Sequence, residues 1–116
     1  MQEVWTFGID PKEEFKTNED LIKKQVELNQ KELGIMLSYY YKSQGAVVEQ
    51  VKFISTMASM EDNTAKVMLG FAVIHFNACL NIHDQKQERI EIQVKVVENE
   101  ITFIGPEIME RGMDEI

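Results

Sequence analysis

Gly45 separates two periodicities, and that division constrains the fold more than any other feature of the chain. Before it, Ile22, Val26, Asn29, Leu33, Met36/Leu37 and Tyr40 recur at three- to four-residue spacing, the period of one helix face. Beyond it, Arg89 to Val97 alternates, with Ile90, Ile92, Val94 and Val96 set against Arg89, Glu91, Gln93 and Lys95. That is the pattern of a strand with one wet face. A chain that is helical on one side of a glycine and extended on the other reads as α+β.

The punctuation sharpens this reading. Val4-Trp5-Thr6-Phe7 is a short strand, expected over 1–9, and Gly8, Asp10 and Pro11 follow it. Thr17 is suited to cap a helix, with Glu19 and Asp20 in the first turn, where their charge favours the helix dipole. One long helix is therefore expected over 18–44, with Gly34 as the place for a kink and Gly45 as the stop. A three- to four-stranded antiparallel meander is expected over 46–105 and a tail over 106–116. Turns fall at Glu61-Asp62-Asn63, Asp84 to Gln87 and Glu98-Asn99-Glu100. All of this fits one domain over 1–116, since two domains of half this length would each be too small to bury a core.

Residues 66–83 are read as a single strand. Its even positions (Met68, Ala72, Ile74, Phe76, Ala78, Leu80, Ile82) are apolar throughout and are expected to pack on the helix. Its odd positions begin apolar with Val67, Leu69, Phe71 and Val73, then turn polar with His75, Asn77, Cys79, Asn81 and His83. The strand is long enough to require a bend or bulge, for which Gly70 is the natural place. A buried helix over 67–82 shares the apolar content, and the Val, Ile and Phe residues favour strand.

Composition narrows the function. The 116 residues hold 20 acids and 12 bases, a net charge of −8. That balance argues against direct nucleic-acid binding, which needs clustered Lys and Arg. The single cysteine, Cys79, argues against a disulfide-stapled secreted domain. No run of about 20 apolar residues is present to cross a membrane, so a cytoplasmic protein is expected. The four-residue spacing of His75, Cys79 and His83 covers about 13 Å along a strand, too far for one metal ion, and the glycines match no phosphate-binding loop. Neither a metal nor a cofactor is expected.

The order strand, long helix, meander is similar in layout to cystatin-like and hot-dog-like folds. The motifs of a cystatin inhibitor are missing: the hairpin reads Ser59-Met60-Glu61-Asp62-Asn63 and the one tryptophan is Trp5. A hot-dog-like layout implies a ligand-binding or thioester-cleaving domain that recruits Glu27, Asn29 and Glu32 with His75, Asn77 and Asn81. The favoured expectation is a non-enzymatic module that binds another protein, such as an inhibitor, immunity, accessory or chaperone-like protein. An acidic surface at Glu107, Glu110, Asp114 and Glu115 would meet a basic partner, and His75, Asn77, Asn81 and His83 would form a polar recognition ladder. Tyr39, Tyr40 and Tyr41 with Val67, Leu69, Phe71 and Val73 supply an apolar excess that a second copy would cover in a homodimer.

Overall fold

In the computed structural model of the chain, which describes residues 2–12, 17–59, 63–77 and 82–108, the helical region opens as its sequence dictates. The Thr17 hydroxyl accepts the backbone N–H of Asp20 at 3.1 Å, starting α1 (Asn18–Leu28). The expected single helix is nevertheless interrupted, and the interruption falls at Asn29, not at Gly34. Asn29 has φ −110° and ψ 25°, and α2 (Gln30–Tyr41) begins after it. The cause is local. The Asn29 side-chain amide donates to the Gln25 carbonyl at 2.9 Å, the same oxygen its backbone N–H reaches at 3.0 Å. Asparagine competes with helical backbone in this way. The ladder resumes at once, because Leu33 N–H donates to Asn29 O at 2.9 Å. A short 3-10 turn over Lys42–Gln44 leads to Gly45, whose φ of 68° is the left-handed conformation that closes the helical half.

Five strands follow the expected α+β plan: β1 (Val4–Gly8), β2 (Ala46–Ser59), β3 (Thr64–Asn77), β4 (Ile82–Val97) and β5 (Glu100–Ile104). They form one antiparallel sheet in the order β1-β5-β4-β3-β2. Residues 67–77 are thus strand, which settles that part of the helix-or-strand alternative. The strand is shorter than expected at its far end. β3 stops at Asn77 and β4 starts at Ile82, so Asp84 to Gln87 are not a turn but pair with His75 to Ala72. Their polar composition mimics a turn, yet strand preference depends on the partner strand more than on composition.

The faces of β3 are also the reverse of the expectation. Val67, Leu69, Phe71 and Val73 are each at most 1% exposed and join Ile22, Val26, Leu33, Met36 and Leu37 of the helices in the core. Ile92 and Val94 of β4 and Ile101 and Phe103 of β5 complete it. The even positions of β3 lie on the other face, where Met68 and Ile74 are half-buried. Both faces are apolar at the start of this strand, so alternation alone could not assign them. On β4 the alternation reads true: Ile92 and Val94 are buried while Arg89, Glu91, Gln93 and Lys95 are exposed.

No bulge forms at Gly70, because β3 pairs with β4 in unbroken register through it. The irregularities sit on the partner strand β2, between Glu49 and Lys52, Phe53 and Ser55, and Thr56 and Ala58. Gly70 instead makes room: a side chain there would come within 2.8 Å of the Ile54 Cδ1.

The three consecutive tyrosines each find a different neighbour. Tyr41 meets Phe71 edge-on at 5.9 Å, Tyr39 lies 6.4 Å from Trp5, and the Tyr40 hydroxyl accepts the Glu3 N–H at 2.9 Å. Burial pushes the Tyr40 and Tyr41 hydroxyls above their ordinary value. At Tyr40 the Glu3 N–H opposes the shift, and the Glu3 and Glu107 carboxylates add to it; at Tyr41 Glu88 adds to it. The folded state therefore favours the protonated phenols. Their contribution to stability is intact below the unfolded value of about 10 and is lost as pH rises through it toward the folded values. Thermal melts on the alkaline side should show the wild-type midpoint falling more steeply than that of a Tyr40→Phe/Tyr41→Phe variant. Parallel slopes would rule out this coupling.

Candidate binding surface

The core stripe of α2 uses Leu33, Met36 and Leu37, which leaves Lys31, Ile35 and Tyr39 exposed away from it, with Lys42 exposed just past the end of the helix. Ile35 and Tyr39, one turn apart, are 45% and 46% exposed. Beside them β2 begins with Ala46 and Val48 buried inward, so alternation turns Val47 outward at 39% exposed. Two contiguous depressions, of about 560 and 410 Å³, share Ile35, Ser38 and Val47 in their walls.

Polar side chains of α2 hold the helix against the edge strand. Ser38 Oγ donates to the Gly34 carbonyl at 2.7 Å and accepts the Val48 N–H at 2.9 Å. Gln30 Nε2 donates to the Val51 carbonyl at 2.6 Å. Backbone groups that an edge strand would otherwise present to solvent are therefore occupied here. What stays exposed is apolar side-chain surface with a lysine at each end.

The other expected site residues are dispersed. Val67, Leu69, Phe71 and Val73 are core and offer nothing to a second copy. Tyr40 and Tyr41 are half-buried and engaged within the chain, so of the expected apolar interface only Tyr39 is exposed. The polar ladder does not run along one strand. His75 Nε2 lies 3.4 Å from Gln44 Oε1, while His83 pairs through its backbone with Phe76, and Asn77 with Ile82. Asn81 and Cys79 lie outside the described residues. Glu107 is exposed, whereas Glu110, Asp114 and Glu115 also fall outside them. Among the described residues no cluster of His, Cys, Asp or Glu is placed to hold a metal ion, and no helix is long and apolar enough to cross a membrane.

The residues of the thioester reading do not converge. Asn29 is half-buried and its amide is engaged with Gln25, while Glu27 and Glu32 are exposed. A separate cleft of about 580 Å³ lies at the start of α1, walled by Asn18, Glu19, Thr56, Asn63 and Glu98 among others. Its one unusual atom is Thr56 Oγ1, which is buried without a hydrogen-bond partner. An unsatisfied buried hydroxyl costs about 1–3 kcal/mol. Thr56→Val, nearly the same shape, should therefore raise stability by roughly 1 kcal/mol in urea unfolding. A loss would show that the hydroxyl has a partner.

Comparison with known proteins leaves the surface to speak for itself: the chain matches no protein-family model and no curated protein. Ile35, Val47, Lys31 and Lys42 were not among the expected site residues. The signal for Ile35 and the two lysines was the spacing Lys31, Ile35, Tyr39, Lys42, which is a helix stripe of its own beside the core stripe, and Val47 joins it only through the fold.

Proposed function

We propose that this chain is a small acidic protein-binding module without catalytic activity, and that it works by occupying the surface of a partner protein. The observation that carries the reading is the exposed ridge of Ile35, Tyr39 and Val47. Its apolar side chains face solvent while the neighbouring strand edge is already hydrogen-bonded, and contiguous apolar surface of this kind marks interaction sites. Glu107 and the acidic residues after it fit a second, basic contact on the same partner. Inhibitor, immunity, accessory and chaperone-like roles all act in this way.

The test is a photo-crosslinking phenylalanine derivative at position 39, with the same group at the exposed position 93 on the far face of the sheet as control, in cells that make the protein. A defined adduct from position 39 and none from position 93 supports the reading. Mass spectrometry then distinguishes a different protein from a second copy, the homodimer. An adduct that survives reversal of Glu107, Glu110, Asp114 and Glu115 to lysine assigns the contact to the ridge, and one that is lost assigns it to the acidic segment. No adduct at position 39 overturns the ridge as the binding surface.

A further inference from the structure

We propose that the groove beside α2 receives an amphipathic helix whose apolar face is flanked by carboxylates about three turns apart. The inference rests on the protein-binding reading and names the chemistry of the partner. The first argument concerns backbone. A guest that added itself as a strand would need free N–H and C=O groups along the edge of β2. Val48 N–H and Val51 C=O are taken by Ser38 and Gln30. Further along, three register shifts and a left-handed Gln50 at φ 57° interrupt the strand, as edges protected against pairing commonly are. A helix satisfies its own backbone and asks only for side-chain contact.

The second argument concerns shape and apolarity. Ile35 and Tyr39 stand one helical turn apart, with Val47 opposite them across the two joined depressions. Anchors at i and i+4, or i+3, on a partner helix match that arrangement. The third argument concerns charge. Lys31 and Lys42 bound the ridge, about 16 Å apart along the helix axis at 1.5 Å per residue. Both are exposed, and no ion pair among the described residues engages either one. Glu49 is the one acid among the described residues lining the groove. The groove is therefore locally positive on a chain of net charge −8, so complementarity selects acids on the guest.

The experiment pans two displayed libraries against the full chain, one of randomised 16-residue segments in a helical scaffold and one in an extended scaffold. Enrichment confined to the helical library is expected, with Asp or Glu at two positions 10–12 apart and apolar residues between them. Binding of the winners, measured by fluorescence anisotropy, should fall about tenfold on Lys31→Glu/Lys42→Glu and at least as much on Val47→Asp. All three positions are exposed, and an unchanged melting curve confirms that each variant folds. Winners that are basic at the flanks, winners from the extended library, affinities indifferent to the lysine reversal, or no enrichment in either library would each overturn the proposal. A partner crosslinked at position 39 alongside any of those results would leave the binding-module reading standing and remove only the acidic helix.

Discussion

Phe71→Ala is expected to cost about 3–5 kcal/mol, the largest loss of any single truncation considered for this chain. Its side chain is 0% exposed and carries the edge-on contact with Tyr41 at 5.9 Å. It sits on β3, which is hydrogen-bonded to β2 on one side and β4 on the other. A strand held on both sides has little freedom to collapse into the cavity, and incomplete collapse sets the upper end of the range. Stability for a domain of this size is of order 5–15 kcal/mol, so the variant should lie close to unfolding at room temperature. Urea titration followed by far-UV circular dichroism reads the effect. Gln87→Ala, on the exposed face opposite Ala72, should stay within about 0.5 kcal/mol of wild type. Similar losses for the two variants would mean that the helices do not cover the Phe71 face.

The second large effect is expected at Gly105, and it is one of fit. A methyl group there would land on the Tyr40 ring and hydroxyl, the ring carbon Cζ at 2.9 Å being already too near. Tyr40 cannot yield cheaply, because its hydroxyl holds the Glu3 N–H while Glu3 O accepts the Gly105 N–H at 2.9 Å. Gln2 Nε2 adds a bond to the Gly105 carbonyl at 3.1 Å. Overpacking costs about 1–3 kcal/mol and the displaced hydrogen bond about 1, so Gly105→Ala should destabilise by roughly 2–4 kcal/mol. Tyr40→Phe removes the hydrogen bond alone and should cost about 1 kcal/mol. A double-mutant cycle decides the mechanism: once Tyr40 is alanine, Gly105→Ala should be nearly silent. An equal cost in both backgrounds would place the strain in the backbone at position 105 and not in the tyrosine.

The parts of the fold that were legible in the sequence are those in which one local signal dominates. Thr17 caps, Gly45 turns left-handed, and β4 alternates, because each needs only nearby residues to satisfy it. The parts that were not legible depend on choices between equals. Both faces of β3 are apolar near its start, so which one meets the helices is decided by packing against Leu33, Met36 and Leu37. Asn29 sits on the helical stripe, and its break comes from a side chain taking a carbonyl that the helix also uses. β3 is paired with β4 as far as Asn77 and Ile82, and Asp84 to Gln87 carry turn-like residues in a strand. For the binding surface, the apolar excess of Tyr39 to Tyr41 and of Val67 to Val73 was visible, but the core claims most of it. The remainder, Tyr39, gains meaning only beside Ile35 and when β2 brings Val47 alongside.

The pairing of β1 with β5 also has a bearing on synthesis. Val4 to Gly8 hydrogen-bond to Ile104 to Glu100, nearly the whole described chain away. As the polypeptide leaves the ribosome, β1 emerges before its partner exists, while the hairpins β2–β3 and β3–β4 close between sequence neighbours. Such long-range pairing is slow and its surfaces remain uncovered until late. Phe7 stays without Phe103 until β5 is made, and until then Trp5 lacks the strand pairing that holds it beside Tyr39, so the nascent chain displays aromatic side chains that the finished molecule covers in part. Docking of β1 on β5 is the step that completes the sheet.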